Sequence, residues 1–348
     1  MLRDETMKRF MLAATAIFAA SGAYAGAFDR SGQGIGFMFE QGNYAELSFG
    51  EVSPSVSNTP LAPAAAAGDI APAYRTFGAA YKADLNDQIS IGVQIDQPYG
   101  AHVQYPASLG GGYAELTSSS INVIGRYKFD GGFSVHAGLS YVTVDGRVFV
   151  PTSGVAAQTF EADADVGYLA GVAYERPDIA LRVALTYYSG SDHSLDSSLG
   201  TVGTINPPQA INLDFQTGVA ANTLVFGQIR WADWTDTQII VPPANPLISH
   251  DDDRVTYTLG VARKFNDSWS GAVSVGYEED LGAVQSTLSP TDGFVSLGVA
   301  AIYTTGKIKI TTGIRYVDIG NATTPTAVLG RFEGNDALGV GIKVGYTF

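Results

Sequence analysis

From Asp336 to Phe348 the chain alternates without a break, and this stretch constrains the fold more than any other. Leu338, Val340, Ile342, Val344, Tyr346 and Phe348 occupy the even positions, while Ala337, Gly339, Gly341, Lys343, Gly345 and Thr347 occupy the odd ones. Period-two alternation puts the apolar set on one face of a strand and the small or polar set on the other. A half-buried strand of a water-soluble protein runs to about 5–6 residues, whereas a tilted membrane-crossing strand needs about 9–11. The length therefore points to a strand that crosses a bilayer. The same rhythm recurs upstream. Phe133, Val135, Ala137, Leu139 and Tyr141 share one face, as do Trp269, Val273, Val275 and Tyr277, and again Val295, Leu297, Val299, Ala301 and Tyr303. Aromatic residues close these outward faces, as the interface girdles of a membrane barrel require.

Composition agrees. Charged residues make up 16% of the 348, below the quarter or so of an ordinary soluble domain. The formal net charge of −14 disfavours nucleic acid as a partner, since phosphate binding needs clustered Lys and Arg. With no cysteine, disulfides, zinc–thiolate sites and thiol chemistry are excluded together. There is no Gly-x-Ser-x-Gly elbow and no His-Glu-x-x-His pair, and His102, His136, His193 and His250 are scattered. We expect neither an enzyme nor a cofactor. The Asp251-Asp252-Asp253 run reads as a solvated loop rather than a calcium site.

The N-terminus reads as an export signal. Met7-Lys8-Arg9 is basic, Phe10 to Ala20 is apolar, and Ala23-Tyr24-Ala25 is a small-x-small cleavage site. Asp4 and Glu5 suit a signal poorly, which makes Met7 the expected start. Residues 1–25 are thus a cleaved signal peptide, 26–42 a short N-terminal plug and 43–348 the barrel. Beyond Ala25 no run approaches the roughly 18 apolar residues of a spanning helix.

Turn signals between the alternating runs give fourteen strands, near 43–53, 74–84, 87–96, 117–129, 132–145, 165–176, 178–190, 210–218, 221–234, 255–265, 268–280, 292–303, 306–319 and 336–348. Tight turns such as Leu85-Asn86-Asp87, Asp130-Gly131 and Asn266-Asp267 alternate with longer stretches, Pro54–Ala73, Gln97–Leu116, Gly146–Ala164, Ser191–Gln209 and Thr235–Arg254. Short connections on one side and long ones on the other are the outer-membrane pattern. The expected fold is an all-β, 14-stranded antiparallel transmembrane barrel with both chain ends in the periplasm. Arg126, Lys128, Arg182, Arg230, Lys309, Arg315, Lys343 and Glu278 fall on inward faces. They either line a path for an anionic head group or pair with lumenal acids.

Several segments resemble the FadL/TodX group of outer-membrane long-chain fatty acid and hydrocarbon transporters. Ala27-Phe28-Asp29-Arg30-Ser31-Gly32-Gln33-Gly34 is similar to that family's N-terminal segment, and Gln97-Pro98-Tyr99-Gly100-Ala101 to its third strand and following loop. Ser118 to Tyr141 resembles strands four and five, and Trp231-Ala232-Asp233-Trp234 with Asp252-Asp253-Arg254 match later in the same order. The resemblance implies passive transport of a hydrophobic compound through the barrel, with lateral exit into the bilayer beside a kinked third strand. It makes Phe28, Tyr99, Arg147 and Arg230 candidate substrate contacts, and Pro98 and Gly100 candidate kink formers. Arg147 lies near the place of one family basic residue; a second has no Lys counterpart, and Leu247, His250 and Arg254 stand near its place. The N-terminal segment is about half the family's length and lacks its Asn-Pro-Ala motif. The resemblance further implies a monomer set among outer-membrane lipid and lipopolysaccharide, delivered by the barrel assembly machinery through the strand ending at Phe348. The rival is a general diffusion porin for small hydrophilic solutes.

Overall fold

The computed structural model describes residues 28–282, 284–325 and 329–348; the signal-peptide reading lies outside them. Among the described residues fourteen barrel strands follow one another: β1 Tyr44–Ser55, β2 Tyr74–Asp84, β3 in two pieces Ile89–Asp96 and Gly100–Gln104, β4 Tyr113–Lys128, β5 Phe133–Val150, β6 Val155–Arg176 and β7 Leu181–Tyr188. The second half comprises β8 Ala210–Ala220, β9 Thr223–Ala232, β10 Arg254–Lys264, β11 Trp269–Glu278, β12 Phe294–Thr305, β13 Ile308–Ile319 and β14 Asn335–Thr347. Each strand pairs antiparallel with its neighbours in sequence. The sheet closes where β1 meets β14, from Tyr44 opposite Thr347 to Ser55 opposite Asp336. Closure leaves no strand without a neighbour on each side, as a bilayer demands because lipid offers backbone groups no partner.

The alternation sorts the side chains as expected. Leu139, Val273, Val275, Leu297 and Val299 point outward and are about half exposed or more. Ser134, Ser274, Ser296 and Thr258, their inward neighbours, are buried. Trp269 packs against Tyr303 near the short turns, and Tyr257 stacks on Tyr277 toward the other end. From Trp269 to Tyr277 is about 26 Å along the strand at ~3.3 Å per residue, or about 20 Å after a tilt near 40°. That is close to the ~25 Å apolar band of a membrane barrel. Among the described residues no helix is long and apolar enough to cross a membrane. The molecule is an outer-membrane barrel.

Several of the long stretches depart from the sequence reading. Gly146–Ala164 is a hairpin rather than a loop: β5 and β6 run on past the membrane, with Gly146 opposite Phe160 and Val150 opposite Val155. Val142, Val144, Val148 and Val150 alternate there, and Pro151–Ser153 makes the turn with Gly154 at φ +71°. The stretches after β7 and β9 are also ordered. Their segments His193–Asp196, Val202–Ile205, Gln238–Val241 and Ala244–Ser249 form a four-stranded sheet. Leu195 and Ile205 from it bury Val142 and Val144. The outer end of the barrel is therefore capped by β-structure with an apolar underside.

Among the described residues, the wall opens between β2 and β3. β2 and β3 pair only from Ala79–Asp84 to Ser90–Ile95. β3 stops at Asp96, and its second piece pairs with β4 alone. Along the β3 side of Tyr74–Gly78 no strand pairs among the described residues; the Phe77 N–H instead donates to Gln97 Oε1 at 2.8 Å. Pro98, which has no N–H to give a ladder, stands in the break. Above it, Gln104 N–H donates to Ile70 O at 2.8 Å and closes the window.

An arginine at Val299, in mid-band, is expected to destabilise the barrel by ~2–4 kcal/mol, and one at Val219, beside a short turn, by no more than ~1 kcal/mol. Denaturant unfolding of both variants in phospholipid vesicles checks this depth dependence.

Candidate binding site

The site is built on the N-terminal segment that precedes β1. Its backbone enters the break in β3: Gly100 N–H donates to Phe28 O and Arg30 N–H to Pro98 O, each at 2.8 Å. The groups that β3 withdraws from its neighbour strand are thus satisfied from inside. Tyr99 N–H and O complete the arrangement with Ser118 Oγ, at 2.8 and 2.7 Å. Further along, Asn212 Nδ2 holds Gly32 O at 2.8 Å, Gln94 Nε2 holds Gly34 O at 2.9 Å, and Arg126 Nη1 holds Met38 O at 3.2 Å. Small inward residues make the room. A side chain at Gly92 would run into Phe37 and Met38.

The segment also brings acid to the lumenal cations. Asp29 meets Arg230 at 2.5 Å, and Arg230 spends its other nitrogens on Asn212 and Gln33 at 2.9 and 3.0 Å. Glu40 meets Lys309 at 2.7 Å. Within the wall, Arg126 pairs with Glu175, Lys82 with Asp84 at 2.7 Å and Lys343 with Glu46 at 3.4 Å. Of the two readings of the inward charges, pairing describes Arg126, Arg230, Lys309 and Lys343, and it extends to Lys82, which the sequence reading did not single out. The reason is the cost of leaving a buried charge alone, several kcal/mol.

Beyond the segment, toward the outer end, lies an apolar pocket enclosing about 60 Å³. Phe28, 2% exposed, reaches into it from the N-terminal segment. Leu116 and Val148 come from the extended strands, Leu247 and Ile248 from the capping sheet, and Leu288 from the stretch between β11 and β12. Phe28 packs edge-on to Trp234 and His250, at 5.8 and 5.4 Å between ring centres. Burial, and then Arg254, pushes the His250 imidazole down to about 4. At the rim Arg147 pairs with Glu115 at 2.6 Å, with Arg147 half exposed. The only charges on this pocket's lining therefore cancel. Its volume is far below the ~300–1,000 Å³ of a drug-sized ligand site, so a larger guest has to move a wall group.

The candidates of the sequence reading separate here. Phe28 and Arg147 line the pocket together. Tyr99 is buried beside Trp234, ring centres 6.1 Å apart, with its hydroxyl donating to Pro208 O at 3.2 Å. Arg230 lies off the lining, held by Asp29. Pro98 and Gly100 flank Tyr99 in the β3 break. Leu247, Ile248 and Leu288 line the pocket without having been singled out as binding residues. For Leu247 and Ile248 the signal was the apolar residues within Thr235–Arg254, a stretch read as a long connection.

One other cluster has a catalytic look. Ser191 Oγ lies 3.0 Å from His193 Nε2, and His193 Nδ1 lies 3.2 Å from Asp163 Oδ2. Acyl transfer also needs amide donors aimed at a developing oxyanion, and those around Ser191 are committed. Ser191 N–H donates to Pro207 O, Asp192 N–H to Asp165, and Ser194 N–H to Asp163. With Ser191 and His193 both buried, the cluster braces the capping sheet against β6.

No family model matches the sequence, and no curated protein matches it. Solved structures do. A FadL homologue of Pseudomonas aeruginosa superposes with a TM-score of 0.71 at 14% identity, over 96% of this chain and 98% of its own. The toluene transporter TbuX of Ralstonia pickettii gives 0.67 at 13%, over 97% and 100%. The toluene transporter TodX of Pseudomonas putida gives 0.63 at 15%, over 89% and 91%. The chain has the FadL/TodX fold.

Two outcomes follow from this geometry. Arg230→Ala is expected to destabilise the protein by ~3–5 kcal/mol, because Asp29 is left buried and unpaired, and adding Asp29→Ala should recover much of it; thermal unfolding of the single and double variants measures both. For His250, the folded value of about 4 lies below the ordinary 6.5. The unfolded group binds the proton more readily, so its contribution is complete above pH 6.5 and is lost as pH falls toward 4. Acidification should loosen the Phe28–Trp234–His250 packing, seen as a change in tryptophan fluorescence that His250→Phe abolishes.

Proposed function

We propose that the protein carries hydrophobic compounds passively across the outer membrane, from the apolar pocket at Phe28 to the bilayer beside β3. The observation that carries this reading is the combination of an apolar pocket with an N-terminal segment bonded to the inward Gln94, Arg126, Asn212, Arg230 and Lys309. Burying each CH₂ gains about 0.8 kcal/mol, which draws an apolar guest from water into the pocket. Lipid offers the same gain, so a guest that leaves sideways avoids the aqueous periplasm. The window between Tyr74–Gly78 and the β3 break supports that exit, and Phe49 and Phe77 stand on its outer side, ring centres 5.2 Å apart.

The pocket suits an uncharged guest. Arg147 is neutralised by Glu115, and Leu247 stands near the place where the resemblance asks for a second basic residue. The neighbours described as toluene transporters are in keeping with a neutral substrate; long-chain fatty acids are the other candidate class. A general porin is the second reading. Against it stand Arg126, Arg230 and Lys309, buried in contacts with the N-terminal segment where a porin keeps an aqueous channel.

Purified protein in planar bilayers should show near-zero ion conductance, and in detergent it should bind a fluorescent long-chain fatty acid saturably. Neutral hydrocarbons should compete at least as well as carboxylates of equal chain length, and Leu247→Asp should weaken binding about tenfold, or ~1.4 kcal/mol. A large steady conductance without binding would establish the porin instead.

A further inference from the structure

Behind the Phe28 pocket lies a second chamber, enclosing about 110 Å³. Ala101 and Leu288 line both, so they form the partition. Val56, Ile70, Val103 and Ile319 give the second chamber an apolar wall. A third hollow, about 120 Å³, lies at the window itself, between Gln94–Gln97 and the outward Phe49 and Phe77. Arg30 lines both the second chamber and the window hollow.

The position of Arg30 is fixed at both ends. Its backbone N–H is bonded to Pro98 O in the break. Its guanidinium lies over the ring of Tyr74, 4.1 Å from the centroid. Tyr74 opens β2, five residues before the stretch Ala79–Asp84 where β3 pairs with it. On the opposite side of the window the guanidinium abuts Gly100, where any added side chain would collide with it. The side chain therefore spans the window from one edge to the other. A planar cation resting on an aromatic face is held by ring electrostatics, and it can leave by rotating its own torsions without breaking a strand pair.

We infer that Arg30, stacked on Tyr74, is the bolt between the second chamber and the wall window, and that a hydrophobic guest reaches the bilayer only when this side chain swings aside. The inference rests on the transport reading for its purpose, though the bolt itself is a property of the wall. Arg30 acts here as a positioning residue: it sets when the passage is open and leaves the affinity of the outer pocket alone. Gly100 gains a role distinct from any bend, since its bare Cα makes the seat for the guanidinium.

Because the chain has no cysteine, one introduced at Val103 reports on the second chamber alone. The protein, reconstituted in phospholipid vesicles, is treated with pyrene-maleimide dissolved in the lipid and, separately, with a membrane-impermeant maleimide. Arg30→Ala should speed lipid-phase labelling about tenfold, corresponding to ~1.4 kcal/mol of stacking, with the impermeant reagent unchanged. Tyr74→Leu should do the same, Tyr74→Phe should label at the parent rate, and Arg30→Lys should fall between, having charge without a planar face. Equal lipid-phase rates for the parent, Arg30→Ala and Tyr74→Leu would overturn the bolt. In parallel, transfer of a bound fluorescent fatty acid to vesicles should be faster in Arg30→Ala at unchanged binding affinity. If the parent protein binds no hydrophobic probe, the transport reading fails, while the labelling rates still decide the bolt.

Discussion

A lipid interior gives backbone amides and carbonyls nothing to bond with, and each one left unpaired costs several kcal/mol. That constraint orders the whole structure. It closes β1 onto β14, it puts apolar side chains on the outer face, and it makes any break in the ladder something that must be answered locally. The break in β3 is answered from within, by Phe28 and Arg30 of the N-terminal segment and by Ser118 of β4. The segment that bonds to inward residues of the barrel is therefore also a mending piece of the wall. Docking of the segment and integrity of the window are one interaction seen from two sides.

The same scarcity of partners governs charge. Inside the barrel, cations from several strands meet acids that the N-terminal segment or a neighbouring strand supplies, as in Arg230 with Asp29 and Lys309 with Glu40. Such pairs contribute little net stability compared with apolar replacements, but removing one partner is costly. They fix the segment in one register and leave the pocket at its outer end almost free of charge. The apolar pocket thus lies above a polar layer in which Arg230 and Lys309 are held by Asp29 and Glu40.

Much of the wall was legible residue by residue. The alternation of Asp336 to Phe348 became β14 with its apolar set outward, and the run Gln97-Pro98-Tyr99-Gly100 marked where β3 breaks. Less was legible beyond the membrane. There the hairpin of β5 and β6 and the capping sheet bury Val142, Val144, Leu195 and Ile205 against one another, and no lipid requirement imposes a long strand of fixed length. Short runs such as Ile239-Ile240-Val241 look the same in a loop as in a four-residue strand, because the pairing that distinguishes them is remote in sequence.

What the sequence determined by itself was the barrel: strand period, tight turns and low charge are local consequences of a chain whose outer solvent is lipid. Which cation is held deep inside by an acid and which stands at the rim of the apolar pocket was decided only in three dimensions. The resemblance made Arg230 and Arg147 alike candidate substrate contacts. Closure of the barrel set Arg230 beside an acid 201 positions away, and set Arg147 beside Glu115 at the rim of a pocket built from widely separated stretches of chain. Coulomb and stacking partners depend on distance in space, so Arg30 too found its role on Tyr74 only once the wall around it had closed.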